Sequence, residues 1–218
     1  MARYDGFADW YDETHGAASQ WMELVRDSVR ELLGAGAGRL LDLGCGGGAR
    51  TPLLQDLGWT VVGVDLSADQ LDVARARLGA AVELVEADAA DLPFADESFD
   101  AVTALVVHTD LDDYPGAVTE AARVLRPGGA YVHAGIHPCF FGHFSEPHEA
   151  GRLLRPGYRE NGLSYHGWDP AGVRARVGAR HVPLDDLLNA VLAAGLTLER
   201  LAESPGDPPG VLAFRARR

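Results

Sequence analysis

The stretch LLDLGCGGG, residues 40–48 of this 218-residue chain, carries the strongest indication of its fold. A short apolar run that is typical of a buried strand leads directly into a cluster of glycines, and a helical pattern follows over residues 51–57. Glycine permits positive φ and lets a ligand approach the main chain closely, while the N-terminus of the following helix favours a negatively charged group. The stretch therefore predicts a loop that binds a nucleotide-like ligand.

Two aspartates extend this prediction to the next strands along the chain. Asp65 ends the apolar run VVGVD, 17 residues after Gly48, where a carboxylate can accept hydrogen bonds from both hydroxyls of a ribose. Asp88 ends the following run, and its carboxylate can accept a hydrogen bond from an adenine amino group, with the amide of Ala89 beside it. Each aspartate alone could be a helix N-cap. Their order, at the carboxyl ends of successive strands, favours a nucleoside site.

The rest of the chain alternates between apolar runs and helical patterns. The apolar runs predict strands at residues 39–44, 60–66, 81–88, 99–108 and 128–136, and a helix at 183–194 precedes two strand-like runs at 196–203 and 210–217. The first five runs are continuously apolar, which is typical of a parallel sheet buried on both faces. The sequence therefore predicts an α/β fold: a Rossmann-like, doubly wound seven-stranded sheet with an antiparallel C-terminal hairpin and helices on both faces.

These motifs together resemble those of the class I S-adenosylmethionine-dependent methyltransferases, in the bacterial small-molecule branch, over roughly residues 4–200. LLDLGCGGG resembles the cofactor loop of that family, and VVGVDLS resembles its ribose-binding strand end. EADAADLPFADESFDAV resembles the adenine-binding turn, and RVLRPGGAYV the turn before the fifth strand. The resemblance implies S-adenosyl-L-methionine as the cofactor and S-adenosyl-L-homocysteine as the product.

The resemblance also implies a set of cofactor-binding residues. The glycine loop would line the methionine part of the cofactor, Asp65 would hold the ribose, and Val106 or Val107 would lie near the sulfonium. Tyr11 would cover the cofactor from an N-terminal lid helix. The full set is Tyr11, Asp42, Gly44, Cys45, Gly46, Gly48, Asp65, Leu66, Asp88, Ala89 and Val106.

Two other interpretations remain at this point. A nicotinamide dehydrogenase would carry GxGxxG, whereas residues 44–49 read GCGGGA, and 218 residues leave little room for a second catalytic half. A protein of the same fold could also bind the cofactor without methylating, as a scaffold or as the catalyst of a rearrangement. Release of S-adenosylhomocysteine with a genuine acceptor distinguishes methyl transfer from that alternative.

Histidines are the candidate bases. Methyl transfer is an in-line displacement in which the protein aligns the nucleophile, excludes water and, for a hydroxyl acceptor, removes a proton. Histidine suits this task because its ordinary pKa is about 6.5. The candidate catalytic residues are His108 after the fourth strand, His137 after the fifth, and His181 before the helix at 183. The candidate acceptor-binding residues are Tyr165, His166 and Trp168. For each of them the alternative is a structural role.

Composition restricts the partners. The net charge of −13 disfavours a nucleic-acid acceptor, and the lack of lysine excludes a pyridoxal phosphate Schiff base, a lysine nucleophile and a Walker phosphate loop. The metal-ligand types in residues 137–148 fit no zinc spacing, and the acidic residues 110–113 are typical of a solvated loop, so no metal is predicted. We expect a small-molecule acceptor methylated on oxygen, with N- and C-methylation open. The oligomeric state, monomer or homodimer, is also open.

The sequence also predicts where the protein is located and how its domain is organised. No apolar run reaches the roughly 18 residues of a membrane span, and the N-terminus is too acidic for a signal peptide, so we expect a cytoplasmic protein that does not contact a membrane. We expect a single methyltransferase domain over residues 1–218. N-terminal lid helices are predicted at about 1–37, and a substrate-lid insertion at about 137–182, where glycine, proline, histidine and aromatic residues replace the regular pattern.

Overall fold

The structure is a computed structural model that describes residues 2–15, 20–166 and 172–218. Its helices and strands follow the alternating apolar pattern of the sequence. In chain order they are α1 (Ala8–His15), α2 (Gln20–Leu32), β1 (Arg39–Leu43), α3 (Thr51–Asp56), β2 (Thr60–Asp65), α4 (Ala68–Leu78), β3 (Glu83–Glu86), β4 (Phe99–Leu105), α5 (Tyr114–Val124), β5 (Leu125–Ile136), β6 (Ser145–His148), β7 (Gly151–Leu154), α6 (Val173–Val177), α7 (Leu184–Ala193), β8 (Thr197–Glu203) and β9 (Val211–Arg217).

Seven of the described strands form one sheet, in the order β3-β2-β1-β4-β5-β9-β8. β1 to β5 pair in parallel, and β9 runs antiparallel to both β5 and β8. The strand order reverses between β1 and β4, so the carboxyl ends of these two strands border the crevice in which doubly wound sheets bind ligands. The predicted fold class, including the antiparallel C-terminal hairpin, is confirmed.

The hydrophobic core lies on both faces of this sheet because successive side chains of a strand point to opposite sides. Leu41 and Leu43 of β1 pack on the face that is covered by α5 and α7. Leu40, which directly precedes Leu41, packs on the opposite face with Val25 and Val29 of α2. Full burial of such side chains stabilises the fold by about 1.5–3 kcal/mol each. The core thus fixes the strand ends that carry the polar residues.

The segment between β5 and α7 is more regular than its sequence indicates. β6 and β7 form a separate two-stranded antiparallel hairpin, and α6 adds one short helix. These elements are four or five residues long, which is too short for a periodic pattern to stand out, and Pro147 lies inside β6. Within the described ranges, no helix has both the length and the apolar character needed to cross a bilayer.

Candidate cofactor and acceptor site

A cleft of about 180 Å³ opens at the carboxyl ends of β1, β2 and β4 and beside the turn that follows β3. Its wall combines the glycine loop, the residues just after three strands and the N-terminal segment. The lining residues are Ala2, Arg3, Tyr4, Tyr11, Gly44, Gly46, Arg50, Val64, Asp65, Leu66, Ser67, Gln70, Ala87, Asp88, Ala89, Val106, Val107, Asp110, Leu111 and Asp112.

The glycine loop needs glycine at the position where it leaves β1. Gly44 has φ +68°, and a Cβ on it would lie 2.2 Å from Cγ2 of Val107, a residue of the opposite wall. The next residue, Cys45, donates its main-chain N–H to the carbonyl of Val64 at 2.9 Å, which ties the loop to β2. The main chain therefore passes close to the cleft with no side chain between it and a ligand.

Asp65 organises both edges of the cleft. Its Oδ2 accepts the main-chain N–H of Gly46 at 2.8 Å, and its Oδ1 accepts that of Ser67 at 2.9 Å. Burial raises the pKa of this carboxyl above its ordinary value, while the two main-chain donors act in the opposite direction. Next to it, the side chain of Leu66 is 52% exposed and offers an apolar surface at the cleft.

Arg50 brings a positive charge to the glycine loop. Its Nη2 donates to the carbonyl of Gly44 at 3.4 Å, and its charge lowers the pKa of both Asp42 and Asp65 against the stronger effect of their burial. It also lines the cleft. A guanidinium at this place can bind the carboxylate of an amino acid group.

The N-terminal segment, residues 2–15, covers the cleft through polar contacts. Ser67 donates its hydroxyl to Asp5 at 2.7 Å, and Arg77 forms an ion pair with Asp12 at 2.6 Å. Tyr4 and Tyr11 pack edge to face with their ring centroids 5.2 Å apart, and both line the cleft. Cofactor bound in this cleft would therefore be shielded from solvent on that side.

Asp110 is the acidic residue on the β4 side of the cleft. Its main-chain N–H donates to the carbonyl of Val107 at 2.8 Å, and its Oδ1 accepts the Tyr4 hydroxyl at 3.2 Å. Arg3 donates to its main-chain carbonyl. Burial raises the pKa of the Asp110 carboxyl to about 6, so this group titrates close to neutral pH.

Most of the predicted cofactor residues meet in the cleft. Those that line it are Tyr11, Gly44, Gly46, Asp65, Leu66, Asp88, Ala89 and Val106. Three others lie behind the wall. Asp42 is buried and accepts the Thr103 hydroxyl at 2.9 Å, Cys45 is buried against β2, and Gly48, at φ +71°, lies where a Cβ would meet Leu78 of α4.

The three candidate bases lie outside the group of cleft-lining residues, and all three are buried. The His108 ring lies 5.0 Å from that of His133, and burial lowers its pKa well below the ordinary value. Nε2 of His137 lies 2.8 Å from a carboxylate oxygen of Glu203, and its Nδ1 accepts the N–H of Cys139 at 3.2 Å.

His181 lies in an aromatic cluster with Phe144 and Tyr158, at centroid distances of 4.9 and 5.2 Å. Burial lowers its pKa to about 4. Of the candidate acceptor-binding residues, Tyr165 and His166 are exposed, and Trp168 lies outside the described residues. None of the described candidates for acceptor contact is among the cleft-lining residues.

Several cleft residues have no part in the sequence-based site. They include Arg3, Tyr4, Arg50, Ser67, Gln70 and Leu111. Asp110 and Asp112 also line the cleft, although the sequence indicated them only as part of a solvated acidic loop. Arg50 could have been found, because it directly precedes the helix that follows the glycine loop. Arg3 and Tyr4 carry no local signal, because both form hydrogen bonds at the cleft with Asp110, more than 100 positions away.

The sheet and its cleft define a Rossmann-like fold with a cleft at the place where such folds bind nucleoside cofactors, and comparison with known proteins specifies the type. A methyltransferase domain model matches residues 41–133. Demethylmenaquinone methyltransferase of Renibacterium salmoninarum is 36% identical over 145 residues, which cover 64% of this chain and 60% of that protein. The O-methyltransferase resE of Aspergillus sclerotiorum is 32% identical over 164 residues, covering 70% of this chain and 60% of that protein. The chain thus spans about three fifths of the length of either relative.

A solved S-adenosylmethionine-dependent methyltransferase from Mesorhizobium loti has the same fold, with a TM-score of 0.74 and 24% identity over 92% of this chain and 99% of that one. By sequence the chain is similar to methyltransferases, and by fold it is similar to an S-adenosylmethionine-dependent methyltransferase. S-adenosylmethionine is the cofactor that this similarity implies. The residues of the cleft fit its parts: Leu66 could contact the adenine, the Asp65 carboxylate could hold the ribose, and the glycine loop with Arg50 could hold the amino acid group.

Proposed function

We propose that the protein transfers a methyl group from S-adenosylmethionine to the oxygen of a small molecule. The observation that carries the proposal is the position of Asp65. Its carboxylate lines the cleft, holds the main chain of Gly46 and lies next to the exposed Leu66. A carboxylate, a glycine loop and an apolar surface, each suited to one part of the cofactor, thus lie side by side in one cleft. The O-methyltransferase among the relatives supports oxygen as the methylated atom.

In this proposal the residues of the chain bind the cofactor and orient it. Asp65 accepts the ribose hydroxyls, and Asp88 with the amide of Ala89 binds the adenine edge. Gly44 and Gly46 allow close approach of the amino acid part, and Arg50 binds its carboxylate. When bound, the cofactor supplies the activated methyl group and a sulfur leaving group. Asp42, Cys45 and Gly48 support the loop from behind.

Two lids would exclude water from the reaction, which matters because in-line transfer requires an aligned, desolvated nucleophile. Residues 2–15 cover the cofactor side. The segment at about 137–182 reaches the other rim, where the main-chain N–H of Arg180 donates to the carbonyl of Thr109 at 2.8 Å and its side chain pairs with Asp112 at 2.8 Å. We propose that this rim and the candidate residues Tyr165, His166 and Trp168 receive the acceptor, all within a single domain.

We propose that His108 is the base that removes the proton of the acceptor hydroxyl. Of the three candidate histidines it lies closest to the cleft along the chain, directly after the cleft residue Val107. Its lowered pKa keeps the imidazole unprotonated at neutral pH, while the burial that lowers the pKa also makes it a weaker base than an exposed histidine. Both ring nitrogens of His137 are engaged, and His181 lies within an aromatic cluster, so these two are secondary candidates.

The test has two stages. Isothermal titration with S-adenosylmethionine and S-adenosylhomocysteine should give micromolar binding of both. Incubation with S-adenosylmethionine and a panel of phenols and aliphatic alcohols should then release S-adenosylhomocysteine in equal amount with a product heavier by one CH2 group. Binding without release, or a product of unchanged mass, would favour the scaffold or rearrangement interpretation. No binding of either ligand would reject the cofactor site.

Two variants test the base. His108→Gln should lower turnover by about 100-fold or more, while S-adenosylhomocysteine affinity stays within threefold, because a general base acts on the transition state. Equal losses in turnover and affinity, together with a lower melting temperature in both His108→Gln and His108→Ala, would assign the residue a structural role.

A further inference from the structure

The cleft carries a negative charge that recognition of adenosine does not use. Asp110 lies in the turn after β4, and Asp65, which lines the same cleft, is close enough to affect it: the charge of Asp65 adds to the burial effect in raising the pKa of Asp110. Asp110 is only partly exposed, and it lines the cleft. Asp110 therefore lies at the wall of the cleft, where the Tyr4 hydroxyl covers one of its carboxylate oxygens.

The covalent structure of the cofactor fixes which part would face Asp110. With the ribose at Asp65 and the amino acid part at Gly44–Gly46, the sulfur that joins them must lie between the ends of β1 and β2. The wall opposite this place is formed by Val106 and Val107, followed by Asp110. Before methyl transfer the sulfur is a sulfonium cation, and after transfer it is a neutral thioether.

The charged and titratable groups around Asp110 do not offset the cost of burying its carboxylate, since its pKa stays raised although Arg3 and Arg174 both lower it. These groups are Tyr4 and Arg3 from the N-terminal segment, Tyr11 from α1, Asp65 from β2, Arg174 from α6 and Asp112, which lies 3.9 Å from Arg3. The hydrogen bond from Tyr4 is neutral, and Arg3 donates a hydrogen bond to the main-chain carbonyl of Asp110 rather than to its carboxylate. A cation that enters the cleft would therefore gain from this carboxylate.

We propose that Asp110 distinguishes the cationic methyl donor from its neutral product. The ionised carboxylate attracts the sulfonium of S-adenosylmethionine, and this attraction is lost when the carbon–sulfur bond breaks and the electron pair stays on sulfur. The product is then held only by its adenosine and amino acid parts and dissociates more readily. This inference rests on the proposed cofactor site, and it makes Asp110 a specificity-determining residue for the donor.

The test requires no acceptor. The affinities of S-adenosylmethionine and S-adenosylhomocysteine are measured by titration calorimetry at pH 5 and pH 7, for the wild type, Asp110→Asn and Asp91→Asn. Asparagine keeps an oxygen that can accept the Tyr4 hydroxyl. Asp91 is exposed and does not line the cleft, so its variant removes one equal charge elsewhere. Both ligands carry the same amino acid group, so its effects largely cancel in the ratio of the two affinities.

The ratio of the affinity for S-adenosylmethionine to that for S-adenosylhomocysteine tests the role of Asp110. In the wild type, the preference for S-adenosylmethionine should fall about tenfold from pH 7 to pH 5, because protonation of one group near pH 6 removes the attraction. Asp110→Asn should show the lower preference at both pH values, with S-adenosylhomocysteine affinity within threefold of wild type, and Asp91→Asn should behave as wild type.

Two results would overturn the proposal separately from the proposed function. If the wild type binds both ligands and Asp110→Asn keeps the same ratio at pH 7, the cofactor site stands and Asp110 plays no part in donor selection. A ratio that changes equally in Asp91→Asn would assign the effect to overall charge and also reject Asp110. If the wild type binds neither ligand, the proposed function fails and this inference fails with it.

Discussion

Replacing Asp65 with alanine should weaken cofactor binding by about 1–3 kcal/mol, or roughly 5- to 150-fold in Kd. In the structure, the carboxylate accepts hydrogen bonds from Gly46 at 2.8 Å and Ser67 at 2.9 Å, so it positions the glycine loop and the start of α4. It also lines the cleft, where it would accept the ribose hydroxyls. A hydrogen bond to a charged group contributes about 1.5–3 kcal/mol, and the energetic cost of burying the carboxylate offsets part of that gain.

Calorimetry with S-adenosylhomocysteine and with adenosine separates the two roles of Asp65. Adenosine lacks the amino acid part, so a weaker affinity for adenosine reports the ribose contact, whereas a loss confined to S-adenosylhomocysteine reports disorder of the loop. Asp72→Ala is the matched control, because Asp72 lies on the exposed face of α4 and pairs only with Arg75 at 2.7 Å. An unchanged Kd for both ligands in Asp65→Ala would refute the assignment of Asp65 to the site.

Three further predictions follow from the same geometry. Gly44→Ala should abolish measurable cofactor binding and lower the melting temperature, because φ is +68° and the new Cβ would lie 2.2 Å from Val107; Gly79→Ala, with φ +64° but open space around it, should bind normally. The pKa of buried His133 is lowered to about 3, so the unfolded chain binds more protons between that value and about 6.5, and stability should fall as pH falls through this window. His133→Phe should then reduce the slope of unfolding free energy against pH by up to about 1.4 kcal/mol per unit, as measured by urea titrations at several pH values; an unchanged slope would contradict the assignment. Residues 2–15 should gain protection from hydrogen exchange when S-adenosylhomocysteine is added, and unchanged exchange there would count against a lid.

The sheet order and the cofactor side of the cleft could be predicted because their signals are local. An apolar run followed by glycines marks a strand that ends in a loop, and an aspartate at the end of the next run comes to the same edge of a parallel sheet. Gly44, Gly46, Asp65 and Asp88 accordingly meet in one cleft. Their neighbours Asp42 and Cys45, in the same motif, are instead buried behind the cleft.

The acceptor side could not be predicted in the same way, because it depends on burial and on contacts distant in sequence. A histidine pattern does not reveal whether the ring faces the cleft or the core, and the His108 ring packs beside His133. Conversely, Asp110 belongs to a run of acidic residues that is typical of solvated loops, yet Tyr4, 106 positions away, covers its carboxylate. Only the fold brings these two residues together.

The two sides of the cleft also differ in how firmly the fold holds them. The cofactor side is formed by strand ends and by main-chain hydrogen bonds, as between Cys45 and Val64, and it cannot open without disturbing the sheet. The covering segments are held at the rim largely by side-chain pairs: Arg77 with Asp12 at 2.6 Å, and Arg180 with Asp112 at 2.8 Å. Ion pairs in such partly exposed positions contribute about 0–1 kcal/mol each. Opening the cover therefore costs far less than distorting the cofactor loop, so a ligand can enter and leave while the adenosine-binding surface stays preformed.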